Sequence, residues 1–240
     1  MDALTISLYF SFPGLLLAFF AQLILRSAWN KYSKVSSEIN VPGAQIARYI
    51  LDSSGLGHVK VEETRGFLSD HYDPSKKTLR LSRQVYQGNS VAAIGVAAHE
   101  VGHALQDSQS YRPLALRSKM ILSVQYGSWL GPILFSIGLA IPSTWGRILA
   151  MVGLILFSGT VLFALITLPV EYDASKRAKQ ALVDQELVIS QQELSGVSIV
   201  LNAAALTYVA GAVQAFMALL QYLFVFLMLD RKRDKKEKSA

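Results

Sequence analysis

Four stretches of this chain carry no charged side chain at all: residues 4–25, 120–141, 148–170 and 198–229. A bilayer asks for about 20 apolar residues per helical crossing, and only helices or closed barrels satisfy the backbone inside it. The chain is therefore read as mostly helical, with about four transmembrane or membrane-associated helices. The first stretch, "LTISLYFSFPGLLLAFFAQLIL", follows Met1-Asp2 and runs on too far for a cleaved signal peptide, which wants a basic start and a shorter apolar core. It is taken as an uncleaved anchor over residues 1–26. Only "PSTWGR" separates the second and third stretches, so residues 119–170 form a hairpin whose outer ends share one side of the membrane. The fourth divides in character. "IVLNAAALTYVAGA" is rich in small residues and could be a buried soluble helix, whereas "QAFMALLQYLFVFLML" suits lipid. Residues 211–229 are assigned as the C-terminal hydrophobic segment and 230–240 as a basic tail.

Composition agrees with a membrane protein bearing one modest water-facing part. Hydrophobic residues make up 52% and mean hydropathy is +0.34, yet 17% of residues are charged. The net charge of +6 does not point to nucleic acid, because the basic residues gather beside the apolar stretches and in "RKRDKKEK". Arg26, Lys31 and Lys34 follow the first stretch, Arg112, Arg117 and Lys119 precede the second, and Lys176, Arg177 and Lys179 follow the third. The hairpin loop carries only Arg147. The positive-inside rule places residues 26–119 and 171–197 in the cytoplasm, for a multi-pass protein of the cell (plasma) membrane. The basic tail fits only if the last segment is re-entrant or interfacial, or if the tail lies outside.

Between the first two stretches, "VPGAQIARYILDSSG" (41–55) reads as a helix with Pro42 near its start and Gly55 at its end. "HVKVEE", "FLSDHYDP" and "TLRLS" read as short strands, with "DPSKK" as the turn before the last. A further helix opens at Asn89 or Ser90 and runs to about Asp107. The fold class is accordingly an α+β membrane protein with a small β-sheet.

That last helix carries "VAAHEVGHALQ". With no cysteine in the chain, any metal must sit on nitrogen and oxygen, and only His58, His71, His99 and His103 supply imidazole. Residues four apart share a helix face, so His99 and His103 can address one ion. Glu100 lies about 100° round the helix. It misses the metal itself but reaches a water whose pKa zinc brings to about 7, the chemistry of H-E-x-x-H on a helix. Apolar flanks make the helix buried, and burying two histidines and a glutamate without partners is costly. Gly102 and the alanines admit a close neighbour. A third ligand is required. The metzincin pattern would need Gly at 106 and His at 109, where this chain has Gln106 and Gln109. Glu171 shares a helix face with Ala174 and Ala178, a carboxylate over small residues fit to pack on the H-E-x-x-H helix; Asp173 is the alternative. Tyr208, Tyr172 and His71 are candidate donors to an oxyanion. His58 gives no signal. "TLRLS" is read as an edge strand, either structural or binding substrate as an added strand.

"DHYDP", "TLRLS", "VAAHEVGHALQ" and "LPVEYDAS", spread over residues 66–178, resemble the small bacterial membrane-bound neutral zinc metallopeptidases of the YugP type, with a more distant resemblance to HtpX-like and CAAX-processing gluzincins. The resemblance implies a zincin-like catalytic part built from residues 27–118 and 171–210. It implies one Zn2+ on His99, His103 and Glu171, with Glu100 as catalytic base. The HtpX-like pattern E-x-x-A-D ends in an Asp that orients a zinc histidine; here that place is Ser175, and Asp173 is the residue that could take over. The expected activity is endopeptidase action on membrane or membrane-proximal proteins. A site-2-type intramembrane protease would need an Asp-Gly on a later span, where Asp230 is followed by Arg231. A non-catalytic scaffold with a structural metal would need four protein ligands. A transporter would carry ionisable residues in its spans.

Overall fold

The computed structural model describes residues 3–66 and 69–237, with the side chains of residues 3–4 and 230–237 left undescribed. Phe67 and Leu68, part of the expected second strand, and the last residues of the basic tail lie outside the described residues. The elements run α1 (Ala3–Tyr32), α2 (Gly43–Ser53), β1 (Lys60–Thr64), β2 (His71–Asp73), β3 (Thr78–Ser82), α3 (Arg83–Tyr86), α4 (Val91–Ser108), α5 (Arg112–Ala140), α6 (Thr144–Asp184) and α7 (Gln191–Glu237). The protein is thus a mostly helical α+β membrane protein. Four described helices, α1, α5, α6 and α7, are long and apolar enough to cross a bilayer.

The chain divides into two compact units, and α1, α5, α6 and α7 contribute to both. One unit comprises residues 1–20, 116–167 and 208–240. Within it, α5 and α6 approach through glycine. A methyl on Gly153 would lie 2.5 Å from the Phe135 backbone nitrogen, and one on Gly138 would lie 2.3 Å from that of Ala150. Small residues serve this purpose in membranes, where lipid offers helices no hydrophobic reason to associate and close packing must supply it. Tyr222 of α7 packs its ring at 4.9 Å from Phe135 and 5.0 Å from Phe157.

The other unit comprises residues 21–115 and 168–207. Its core is built by α2, β3, α4 and the parts of α1, α6 and α7 that it contains. Ile46, Ile50 and Leu51 of α2, Leu79 and Leu81 of β3, Ile94 and Val101 of α4, Leu182 of α6 and Val197 of α7 are all buried. Each such side chain contributes about 1.5–3 kcal/mol by leaving water. The α2 stripe follows from apolar residues at helical spacing, and its end follows from Gly55. That residue takes φ +73°, a left-handed conformation that lets the Leu56 N–H donate back to the Leu51 carbonyl at 2.8 Å. At the start of α4, Ser90 is the N-cap, its hydroxyl accepting from the Ala93 N–H at 3.2 Å.

The sheet corrects one expectation. Its order is β1-β3-β2, so β3, the "TLRLS" strand, is central rather than an edge. β2 pairs antiparallel with one side of it, as the turn at "DPSKK" implies, and the Asp73 carboxylate accepts from the Ser75 and Lys76 N–H groups in that turn. β1 pairs parallel with the other side over Lys60↔Thr78 to Thr64↔Ser82. β1 thus pairs along the whole of β3, and β2 along its first three residues, Thr78 to Arg80. Arg80 marks its middle position, within 3.4 Å of Glu62 on β1 and of Asp73 on β2.

Candidate metal centre

α4 and α6 form the site by touching at backbone distance. A methyl on Gly102 would lie 2.4 Å from the Ala174 carbonyl oxygen, so only glycine lets α6 lie this close. Ala174 and Ala178 are fully buried on the α6 side, and Glu171, one turn before Ala174, projects onto the two histidines. Its Oε2 lies 3.2 Å from His99 Nε2 and 3.7 Å from His103 Nε2. The three ligand-type atoms lie within 4.8 Å of one another, with His103 and Glu171 buried and His99 nearly so. Ligands at about 2.0–2.1 Å from a tetrahedral zinc stand roughly 3.4 Å apart. The donor set and its spacing therefore fit a divalent cation of this kind.

Burial shapes the ionisation of the groups on α4. Burial drives the Glu100 carboxyl upward, and the neighbouring imidazoles of His99 and His103 offset this only in part; Glu171 and Asp70 add to the rise. For His103, burial alone would lower the pKa, but the Glu171 carboxylate against it and the charge of Glu100 reverse the sign. Two imidazoles converging on a buried carboxylate form a nitrogen and oxygen donor set that suits a divalent cation.

The remaining candidates fall in different places. Ser175, where the HtpX-like pattern has aspartate, puts its Oγ 3.1 Å from His99 Nδ1 and so occupies the orienting position itself. Asp173 touches neither histidine: it accepts from Arg177 Nε at 2.5 Å and from the Gln106 amide at 2.8 Å. Tyr172, beside Glu171, is 52% exposed. His58 and His71 are exposed, and His71 Nδ1 meets the Ser69 carbonyl at 2.8 Å. Tyr208 lies on α7 in the unit that does not contain the cluster, more than a third exposed.

Sequence reasoning used Gln106 only to exclude a metzincin. In the structure it is fully buried, three residues after His103, with its Oε1 3.0 Å from His103 Nδ1. The signal was present as a polar residue on the histidine face of an otherwise apolar helix.

Comparison with known proteins now bears on this geometry. Residues 7–227 match the model of the family described as "Putative neutral zinc metallopeptidase". This chain belongs to that family. It is also 47% identical over 220 residues to "Putative membrane protease YugP" of Bacillus subtilis (strain 168), covering 92% of this chain and 96% of that protein. No solved structure matches it. The family membership and the four long apolar helices make this a membrane protein of the zinc metallopeptidase family, with a buried His99–His103–Glu171 cluster that could bind metal.

Proposed function

We propose that the protein is a membrane-anchored zinc endopeptidase of gluzincin type, acting from the cytoplasmic face of the plasma membrane on membrane or membrane-proximal proteins. The observation that carries this reading is the convergence of His99, His103 and Glu171 from two helices, with Glu100 on the same helix as the histidines. One zinc ion held by those three residues would supply a water nucleophile near neutral pH and polarise the scissile carbonyl. Glu100 takes the proton of the attacking water and passes it to the leaving amine; its burial, which favours the protonated form, suits the second half of that task. Ser175 holds the His99 ring, and Gly102 keeps α6 close enough for Glu171 to reach. A structural metal in a non-catalytic scaffold would call for a fourth protein ligand, and the cluster among the described residues comprises three.

The test compares wild type with Glu100→Gln, purified in detergent, on an unstructured membrane-tethered substrate. The expected outcome is retention of about one zinc with cleavage lowered about 10²–10⁴-fold, the usual weight of a general acid–base group. A Glu100→Gln protein that cuts as fast as wild type would remove the mechanism. Because the chain has no cysteine, membrane sidedness can be read from single introduced cysteines. A membrane-impermeant maleimide should label Ser143→Cys in intact cells and Ser54→Cys only after lysis; the reverse pattern would place the site outside.

A further inference from the structure

We propose that Gln106 is a positioning residue that fixes which ring nitrogen of His103 is presented to the metal, through a hydrogen-bond relay running Arg177–Asp173–Gln106–His103. The inference rests on the metallopeptidase reading above and deepens it.

The argument is one of donors and acceptors. The Gln106 amide is fully buried and faces three partners. Its Nε2 donates to the Val170 carbonyl at 2.8 Å and to Asp173 Oδ2 at 2.8 Å. A carbonyl and a carboxylate can only accept, so the NH2 end must point at them; the flipped amide would set an oxygen against two oxygens. That leaves Oε1 facing His103 Nδ1 at 3.0 Å, and Oε1 can only accept. Nδ1 therefore carries the proton. A neutral imidazole has one N–H, so Nε2, the nitrogen turned toward Glu171 at 3.7 Å, is left with its lone pair. The outer end of the relay is anchored as well. Arg177 Nε donates to Asp173 Oδ2 at 2.5 Å, its Nη1 donates to Gln109 Oε1 at 2.5 Å, and its guanidinium stands 5.7 Å from the Tyr111 ring centre.

The two histidines are thus held differently. Ser175 Oγ beside His99 Nδ1 can donate or accept, so it permits the required tautomer without dictating it. Gln106 dictates it for His103. In a chain whose His99 partner is serine where the HtpX-like pattern has aspartate, the directional constraint sits on the other ligand, supplied from Asp173 through an amide.

The test measures zinc affinity by chelator competition on the full chain in detergent. Removal of a partner that orients a metal ligand commonly costs about 10–100-fold in affinity, and Gln106→Met, of similar size and without hydrogen-bonding groups, should show a loss of that order. Gln106→Glu sets a second carboxylate against Asp173 and should also bind weakly. The double variant Gln106→Glu/Asp173→Asn removes the carboxylate–carboxylate contact and leaves only the Val170 carbonyl opposed, with the Asn amide donating to the Glu carboxylate and that carboxylate accepting from His103 Nδ1. It should bind more tightly than Gln106→Glu alone, a partial recovery that a space-filling role would not produce. Thermal unfolding with chelator present checks the fold of each variant, and if Gln106→Met does not fold, Gln106→Glu against the double variant decides. Gln106→Met binding zinc as wild type does, or a folded double variant no better than Gln106→Glu, overturns the proposal. A wild-type chain that binds no zinc overturns both this inference and the protease reading. A wild type that binds and cleaves, with Gln106→Met unaffected, overturns this inference alone.

Discussion

Two glycines in this molecule hold helices at nearly the same backbone distance, yet their surroundings make them different in kind. Gly102 in α4 faces the Ala174 carbonyl, where a methyl would lie at 2.4 Å; Gly153 in α6 faces the Phe135 nitrogen, where a methyl would lie at 2.5 Å. Around Gly153 stand apolar side chains and another glycine, so a small separation of the helices changes packing and nothing else. Around Gly102 stand His99, His103 and Glu171, whose ligand-type atoms lie within 4.8 Å of one another and, to hold a metal, would have to converge within a few tenths of an ångström. Close packing in the spanning unit gives association; in the other unit it gives geometry.

Substitution at each glycine should separate the two roles. Gly102→Ala forces backbone apart, since the atom it meets belongs to the α6 main chain and not to a flexible side chain. Glu171 moves with it, and a misplacement of about 1 Å costs about 10²-fold in a site of this kind. Zinc affinity and cleavage should both fall by that order. Gly153→Ala should destabilise the α5–α6 hairpin by about 1–3 kcal/mol, the usual cost of overpacking, while purified protein that has folded keeps its zinc. Gly159, with nothing within 4 Å of a built methyl, should tolerate alanine within about 0.5 kcal/mol and with unchanged cleavage. Thermal unfolding and zinc content of the three purified variants check this ordering. Loss of zinc from Gly153→Ala with retention in Gly102→Ala would break the comparison.

The same contrast explains what the sequence made legible. Helix periodicity carried Ile46, Ile50 and Leu51 into the core, the spacing of His99 and His103 put both rings on one face, and Glu171, Ala174 and Ala178 lay on one face of α6 for the same reason. Ser90 and Gly55 could be recognised as end signals because caps are local chemistry. The position of β3 was not legible. Alternation shows that "TLRLS" is a strand but carries nothing about its second neighbour, and β1 reaches it only through a parallel crossover. The partner of His103 was hidden for a related reason. Gln106 has three hydrogen-bond partners, and two of them, Val170 and Asp173, belong to α6, more than sixty residues away in the chain. Its place on the histidine face of α4 was legible locally; its partners on α6 were not. Ser175 shows the converse: a departure from the HtpX-like pattern that nonetheless stands against a histidine of the cluster, its Oγ 3.1 Å from His99 Nδ1.

The central claim is that α6 completes the metal site of α4 through Glu171. The most direct measurement is zinc stoichiometry of wild type and Glu171→Ala, dialysed against the same low free zinc and corrected for folded protein. The account expects about one zinc per wild-type chain and strong depletion in the variant. Equal zinc in both would contradict it, because the two histidines would then be completing their coordination with some other group.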